Sequence, residues 1–351
     1  MRFRPLHRSL TFVLALGAGT ALVAFGIAHL AHDATGSAAI GRTQYLTGSH
    51  ALVGRLYAPA SPFNRPIPAN APVDPESQLL VQSLVAAAAQ GGTVIAVGRW
   101  TVPVYLAGAK TPRYRVSLTA SWAPAHALDG VPIPAAARPD PAGDGHLAVL
   151  DRHTGCEYDF WRAQKHGRTW SAEWGNSIRS AGSGVFPRGL SARGSGFALL
   201  AGLIWPDELA RGHIDHALIF SYPYTSAAGF VAPATESDGR SDRPDALPEG
   251  AHLQLDPSLD VDSLMLPRYE RIVAHALQKY GMYLADTGGN LSYYAVNPQS
   301  YPANPYAGLL PPVPYAPIGG IPFDRFRVLE RGPVTRDANL GLVPSGCGRL
   351  R

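Results

Sequence analysis

Apolar and polar positions divide the chain into an N-terminal run and a long body. Three arginines stand among the first eight residues, and residues 10–30 that follow contain no Asp, Glu, Lys or Arg. Basic residues before an apolar run are typical of an export signal, and about 20 residues also suffice to span a bilayer core of roughly 30 Å. We predict that residues 1–31 are a cleaved signal peptide or a retained membrane anchor. Residues 32–50 are small and polar and indicate a flexible spacer, followed by one large extracytoplasmic domain at residues 51–351.

Two segments of the body place apolar residues at helical spacing. Residues 74–90 begin with Asp74 and Pro75, which suit the start of a helix, and a Gly-Gly pair follows them. Residues 269–280 repeat the pattern and are followed by Gly281. We predict a helix in each segment.

Short apolar segments separated by glycine and proline make up most of the remaining body. The 37 glycines and 32 prolines are spread along the chain and form no low-complexity block. This pattern predicts a mainly β domain, a β-sandwich or jelly roll with long Pro/Gly-rich loops. The predicted strands are residues 93–97, 102–106, 114–118, 146–151, 156–163, 169–176, 213–220 and 282–285.

Charge argues against a nucleic-acid partner. The chain has 30 Lys and Arg against 26 Asp and Glu, and removing the three N-terminal arginines leaves 27 − 26 = +1 for the body. No basic stripe remains to neutralise phosphates. The sequence also lacks a Walker phosphate loop, a Gly-x-Ser-x-Gly nucleophile elbow and a His-Glu-x-x-His zinc motif.

The chain contains two cysteines, Cys156 and Cys347. In an exported protein two cysteines are expected to pair, so we predict a disulfide between them. Neither has a second Cys or a His at metal-finger spacing, and we predict no metal site and no cofactor.

Three strings in the body resemble a group of uncharacterised secreted bacterial proteins that are often found beside carbohydrate-active modules. The strings are Asp151-Arg-His-Thr-Gly-Cys-Glu-Tyr-Asp-Phe-Trp161, Gly212-His-Ile-Asp-His-Ala-Leu218 and Ala276-Leu-Gln-Lys-Tyr-Gly-Met-Tyr-Leu-Ala-Asp286. The resemblance covers roughly residues 55–300. It implies an exported β-sandwich associated with polysaccharide, and it transfers no catalytic residues.

Carboxylates are the strongest catalytic candidates, because glycoside hydrolysis needs one protonated and one ionised carboxyl group beside the scissile bond. Glu173 lies between two tryptophans, Glu208 follows Trp205, and Asp286 ends a predicted strand. We predict these three as catalytic, although Asp286 also suits a turn and Glu208 a solvated loop. Glu157, Asp159 and Asp207 are further carboxylates of the same region.

Two histidines lie in the predicted strand at residues 213–220. Alternation along a strand places His213 and His216 on opposite faces, so a shared metal is not expected. His216 is predicted either as a buried or cleft-lining histidine or as an acid/base catalyst.

Aromatic residues suit both a core and a sugar ligand. The strands at 156–163 and 169–176 form a predicted hairpin that is rich in them. The predicted substrate-binding residues are Trp161, Trp170, Trp174, Tyr222 and Tyr293. Together these features favour a polysaccharide-degrading enzyme, either a glycoside hydrolase or a lyase. The alternative is a noncatalytic glycan-binding or cell-envelope module.

Overall fold

The computed structural model describes residues 55–187, 190–336 and 347–351. The predicted signal or anchor and the predicted spacer lie outside these residues. Within the described ranges, no helix combines the length and the apolar character that a membrane span requires.

The described residues form three α-helices and sixteen strands, so the prediction of a mainly β protein is confirmed. The helices are α1 (Ser77–Gly91), α2 (Pro206–Arg211) and α3 (Arg268–Lys279). The strands are β1 (Thr93–Ala96), β2 (Val104–Ala107), β3 (Arg113–Leu118), β4 (Ala127–Pro132), β5 (Leu147–Asp151), β6 (Cys156–Trp161), β7 (Gln164–His166), β8 (Thr169–Ala172), β9 (Trp174–Arg179), β10 (Leu218–Tyr222), β11 (His252–Leu255), β12 (Met282–Thr287), β13 (Leu291–Tyr294), β14 (Tyr315–Pro317), β15 (Phe326–Val328) and β16 (Arg349–Leu350).

The strands are arranged in three sheets. A seven-stranded sheet has the order β14-β1-β13-β10-β12-β11-β15, a four-stranded sheet the order β2-β5-β6-β9, and a five-stranded sheet the order β16-β4-β3-β8-β7. Four of the strand pairs are parallel: β1 with β13, β10 with β12, β2 with β5, and β3 with β8. A jelly roll is built from antiparallel strands, and these pairings do not confirm that arrangement.

Successive side chains along the strands point to opposite faces of the sheets and form three apolar cores. On β12, Met282 and Leu284 join α1 and α3 in a core on the helix side of the seven-stranded sheet. Tyr283 points to the opposite face, into a middle core shared with the four-stranded sheet. On β5, Ala148 enters the same middle core while Val149 enters an outer core shared with the five-stranded sheet. The fold therefore stacks helices and three sheets around successive buried layers.

Both predicted helices are confirmed as α1 and α3, although α1 begins at Ser77 and not at Asp74. The predicted hairpin is confirmed with one difference. Strands β6 and β9 pair antiparallel from Cys156 with Arg179 to Trp161 with Trp174. Between them, β7 and β8 pair around the turn but belong to the five-stranded sheet. The hairpin therefore links two sheets.

The prediction of a strand at residues 213–220 is wrong in its first half. The strand β10 begins only at Leu218, and His213 to Ala217 is irregular backbone. The Ala217 N–H donates to Phe63 O at 2.7 Å, which joins this segment to the short 3-10 turn Pro62–Asn64 and leaves it outside the sheet. Strand alternation therefore does not determine where His216 points.

The predicted disulfide between Cys156 and Cys347 is confirmed, with an S–S distance of 2.05 Å. It holds β16 beside β4, where Leu350 pairs with Leu128. The C-terminal residues are thus attached to the five-stranded sheet through both a covalent bond and backbone hydrogen bonds.

Candidate functional site

Two adjoining cavities of about 400 Å³ and about 610 Å³ share three lining residues, Asp144, Asp286 and Thr287, and together form one groove that we call the acidic cleft. Its other notable lining residues are Trp122, His146, Trp161, Trp174, Arg193, Glu236, Asp238, Trp100, Asn290, Tyr294 and Tyr315. The cleft therefore combines carboxylates with large aromatic rings.

One wall of the cleft is built from tryptophans. Trp174 is almost fully buried and its Nε1 donates to Leu190 O at 2.7 Å. The Trp122 ring packs against it at a centroid distance of 5.6 Å, yet 54% of Trp122 is exposed. Trp161 donates from Nε1 to Asp144 Oδ1 at 3.3 Å. A buried ring thus supports an exposed one beside a carboxylate.

Trp100 supplies a second exposed ring at the other half of the cleft, with 46% of its surface accessible. Its backbone has φ 55°, which is rare for a residue other than glycine and costs of order 1–3 kcal/mol. The buried Asp140 holds this conformation, because its carboxylate accepts from the N–H of Trp100 at 3.1 Å and of Thr101 at 3.4 Å. Asn297 Nδ2 donates to the same carboxylate at 2.9 Å.

A β-bulge directs Asp286 into the cleft. Phe220 pairs with Leu284, but the next residue, Ser221, pairs with Asp286, so Ala285 is an extra residue in β12. A bulge changes which face the following side chain points to. Asp286 therefore faces the cleft and not the helix-side core that holds Leu284.

Two other carboxylates accompany Asp286 here, and we call Asp238, Glu249 and Asp286 the carboxylate trio. Their ligand oxygens all lie within 4.8 Å of one another. Glu249 Oε2 accepts from the Asp238 N–H at 3.1 Å, and Asp238 Oδ1 accepts from Thr287 Oγ1 at 2.6 Å. Burial raises the pKa of Asp286 and of Glu249 well above the usual carboxyl range, and the charge of Asp238 raises both further.

Glu236 and His146 are two more titratable groups of the cleft. Burial raises the pKa of Glu236 to about 7, against the hydrogen bond that the Ser191 N–H donates to its carboxylate at 3.0 Å. Burial lowers the pKa of His146 to about 4, so its imidazole is neutral at pH 7. The cleft therefore contains a carboxyl group whose pKa lies near neutral pH.

Arg193 lies at the base of the cleft and is 3% exposed. Its guanidinium donates to Leu199 O at 3.2 Å and lies 5.4 Å from the centre of the Tyr294 ring. Behind it, in the middle layer, are the fully buried carboxyl groups of Glu157 and Asp159. Burial raises the pKa of both, and the charge of Arg193 opposes that shift.

Glu157 and Asp159 organise the backbone next to Arg193. They accept the N–H groups of Leu200 at 3.0 Å and Leu199 at 2.9 Å, and Glu157 also accepts the Tyr57 hydroxyl at 2.8 Å. Neither side chain reaches solvent, so both are supports for the cleft and cannot contact a ligand directly.

Of the residues predicted from the sequence, Asp286, Trp161 and Trp174 come together in the acidic cleft. Glu173 lies outside it, on the surface, in an ion pair with Arg162 at 2.7 Å. Trp170 is buried in the outer core.

The two predicted tyrosines are also core residues and do not reach the cleft. Tyr222 and Tyr293 are 0% exposed on the helix side of the seven-stranded sheet. The Tyr222 hydroxyl contacts Ser83 Oγ at 2.7 Å, and the Tyr293 hydroxyl contacts Met282 Sδ at 3.2 Å. Their polar atoms are therefore engaged inside the fold.

Glu208 and His216 meet in a different cavity of about 300 Å³, at an Nε2–Oε1 distance of 3.0 Å. Burial lowers the pKa of His216, but the Glu208 carboxylate outweighs this, and the pKa is raised overall. The other Glu208 oxygen accepts the Trp205 N–H at 3.0 Å and so caps α2. The Glu208–His216 contact joins α2 to the segment before β10, away from the acidic cleft.

Sequence reasoning missed the cleft residues Trp100, Trp122, Asp144 and Asp238, and also Glu249, which lies buried behind them. All five lie in loops or turns, where spacing carries no information about what is opposite. Only Trp122 could have been suspected from the sequence. It lies in a Pro-containing loop between two strands, where a tryptophan is not expected to be buried in a core.

No protein-family model, no curated protein and no solved structure matches this chain.

Proposed function

We propose that this chain is an extracytoplasmic carbohydrate-active enzyme that binds a polysaccharide along the acidic cleft and cleaves it there. The proposed location rests on the basic and apolar N-terminal sequence. The middle core shared by the seven-stranded and four-stranded sheets supports the sandwich-like character that the sequence resemblance implies.

The observation that carries the proposal is the exposure of aromatic rings beside carboxylates in one groove. Trp100 is 46% exposed, Trp122 54% and Tyr315 38%, although large aromatic side chains are usually mostly buried. Such rings offer flat apolar faces for a sugar ring, and the adjacent polar groups can orient it. Rings at both halves of the cleft favour an extended chain as the ligand.

Cleavage would use carboxylates that line the cleft. Asp144 and Asp286 line both halves of the groove, so a chain lying along it would pass both side chains. Hydrolysis needs two carboxyl groups on either side of the bond. Elimination at a uronic acid would instead need a base and a cation near the sugar carboxylate, and Arg193 lies at the base of the same groove.

The test is incubation of the purified protein with plant, fungal and bacterial-envelope polysaccharides. Reducing ends and the ultraviolet absorbance of an unsaturated product are followed together. Reducing ends alone identify a hydrolase, and both signals together identify a lyase. Retention on an insoluble glycan with neither signal would replace the enzyme with a binding module.

Variants connect the activity to the cleft. We expect Asp144→Asn and Asp286→Asn each to lower kcat/KM by about 10²–10⁴-fold, the usual contribution of a positioned acid or base. Trp122→Ala should mainly raise KM. Asp324→Asn changes an exposed carboxylate outside the cleft and should leave turnover unchanged. Turnover that survives both cleft variants would show that another site is responsible.

A further inference from the structure

The carboxylate trio brings three acidic side chains from different segments to one point. Asp238 comes from the loop after β10, Glu249 from the turn before β11, and Asp286 from the end of β12. Gly194 closes the other side, since a Cβ there would lie 2.9 Å from Asp238 Cγ and 3.0 Å from Glu249 Oε1. Any side chain at position 194 would therefore collide with two of the three carboxylates, and glycine avoids this collision.

Glu249 provides an independent indication of a ligand. The residue is 0% exposed, and its Oε1 is buried without a hydrogen-bond partner, while Oε2 accepts the Asp238 N–H. A buried carboxylate oxygen without a partner costs several kcal/mol or is compensated by a charge. Glu249 Oε1 and Asp238 Oδ1 both lie 3.0 Å from the point that a Cβ on Gly194 would occupy, so this unpartnered oxygen is on the side of the Asp238 carboxylate.

We infer that Asp238, Glu249 and Asp286 bind a divalent cation, and that Ca²⁺ is the ion this set of donors fits. The trio offers only carboxylate oxygens, which suit hard cations and not Zn²⁺ or Cu²⁺. Ca²⁺–oxygen distances are about 2.3–2.6 Å, so oxygens on opposite sides of one ion lie roughly 5 Å apart. The trio's oxygens lie within 4.8 Å of one another, and one ion can therefore contact all three carboxylates.

The cation would face the acidic cleft. Ca²⁺ takes about 6–8 oxygen ligands, and three carboxylates supply at most six. Asp238 and Asp286 line the cleft while Glu249 closes the site from below. The remaining positions are open to water or to ligand oxygens. Asp144 and Glu236 remain as two cleft carboxyl groups outside the trio.

Cation binding can be measured without any substrate, so its failure is separate from failure of the proposed enzyme activity. The full-length protein is stripped with EDTA and titrated with Ca²⁺ by calorimetry, with the melting temperature recorded in parallel. We expect one saturable site and a melting temperature that rises with Ca²⁺. A parallel titration with Mg²⁺ should show weaker binding, because Mg²⁺ gives up its waters reluctantly.

Variants assign the site. Glu249→Gln keeps the size of the side chain, and loss of one ligand charge should weaken Ca²⁺ binding by at least about 100-fold. Asp238→Asn alters an exposed ligand, so it tests the same site if the buried variant fails to fold. Asp324→Asn removes a remote surface carboxylate and should bind as the parent does. No binding at millimolar Ca²⁺, tighter binding of Mg²⁺, or undiminished binding in the first two variants would overturn the inference.

Discussion

Removing the disulfide tests how far one covalent bond stabilises the layered fold. Cys156 and Cys347 are 191 positions apart in the sequence, and both are buried against the outer core. We consider the variant in which both are replaced by serine. It frees β16, whose contacts with β4 include the Leu350–Leu128 pair and an Arg351–Asp129 ion pair at 2.6 Å.

The expected loss follows from the size of the closed loop. In the chain-entropy model a loop of this length is worth about 5 kcal/mol at 25 °C, since the cross-link restricts the unfolded chain. For a domain of about 300 residues the unfolding entropy is roughly 0.6 kcal/mol per degree. We therefore expect the melting temperature to fall by about 8 °C.

Calorimetry or thermal unfolding followed by circular dichroism measures this shift. Reductant should lower the melting temperature of the parent protein by a similar amount and leave the double variant unchanged. If the double variant melts within about 1 °C of the parent, the loop-entropy reasoning fails for this protein.

Two further predictions concern pH and backbone conformation. Burial lowers the pKa of His252 to about 4, from a value near 6.5 in the unfolded chain. Between these two pH values the unfolded chain binds a proton that the folded protein does not. The free energy of unfolding therefore falls by up to about 3 kcal/mol as the pH falls from 6.5 to 4. The His252 ring stacks on Tyr283 at a centroid distance of 4.0 Å, and a phenylalanine ring can take the same place without titrating. Urea unfolding at several pH values should therefore show a weaker acid dependence for His252→Phe, and equal slopes in both proteins would contradict this. Gly202 has φ 67° and a Cβ there would lie 2.7 Å from Ile219 N, so Gly202→Ala should cost roughly 1–3 kcal/mol in the same assay. Gly108→Ala, with open space around it, is the control, and equal losses would refute the steric argument.

The sequence determined the elements whose signals are local. Apolar spacing identified α1 and α3, and the glycines after them marked their ends. The segment at residues 213–217 does not form the predicted strand, because Ala217 donates its N–H to Phe63 O and not to a neighbouring strand, while Ile214 is buried in the helix-side core. Helix α2, with six residues, is too short for a periodic signal.

The candidate site was predictable only where a strand supplied it. Asp286 could be found because it ends an apolar strand, and Trp161 and Trp174 because they lie in an aromatic hairpin. Asp238 and Glu249 belong to the long crossover between the parallel strands β10 and β12. Their position beside Asp286 is a result of tertiary pairing, which residue spacing does not report.

The position of β1 in the seven-stranded sheet has a consequence for the order of folding. Its neighbours are β13 and β14, and Thr93 pairs with Leu291, 291 − 93 = 198 positions later. Contacts this distant in sequence form slowly, because the intervening chain must be closed into a loop first. A nascent chain that has emerged only as far as residue 290 holds β1 with neither partner available. The seven-stranded sheet can therefore close around β1 only after β13 and β14 have been synthesised.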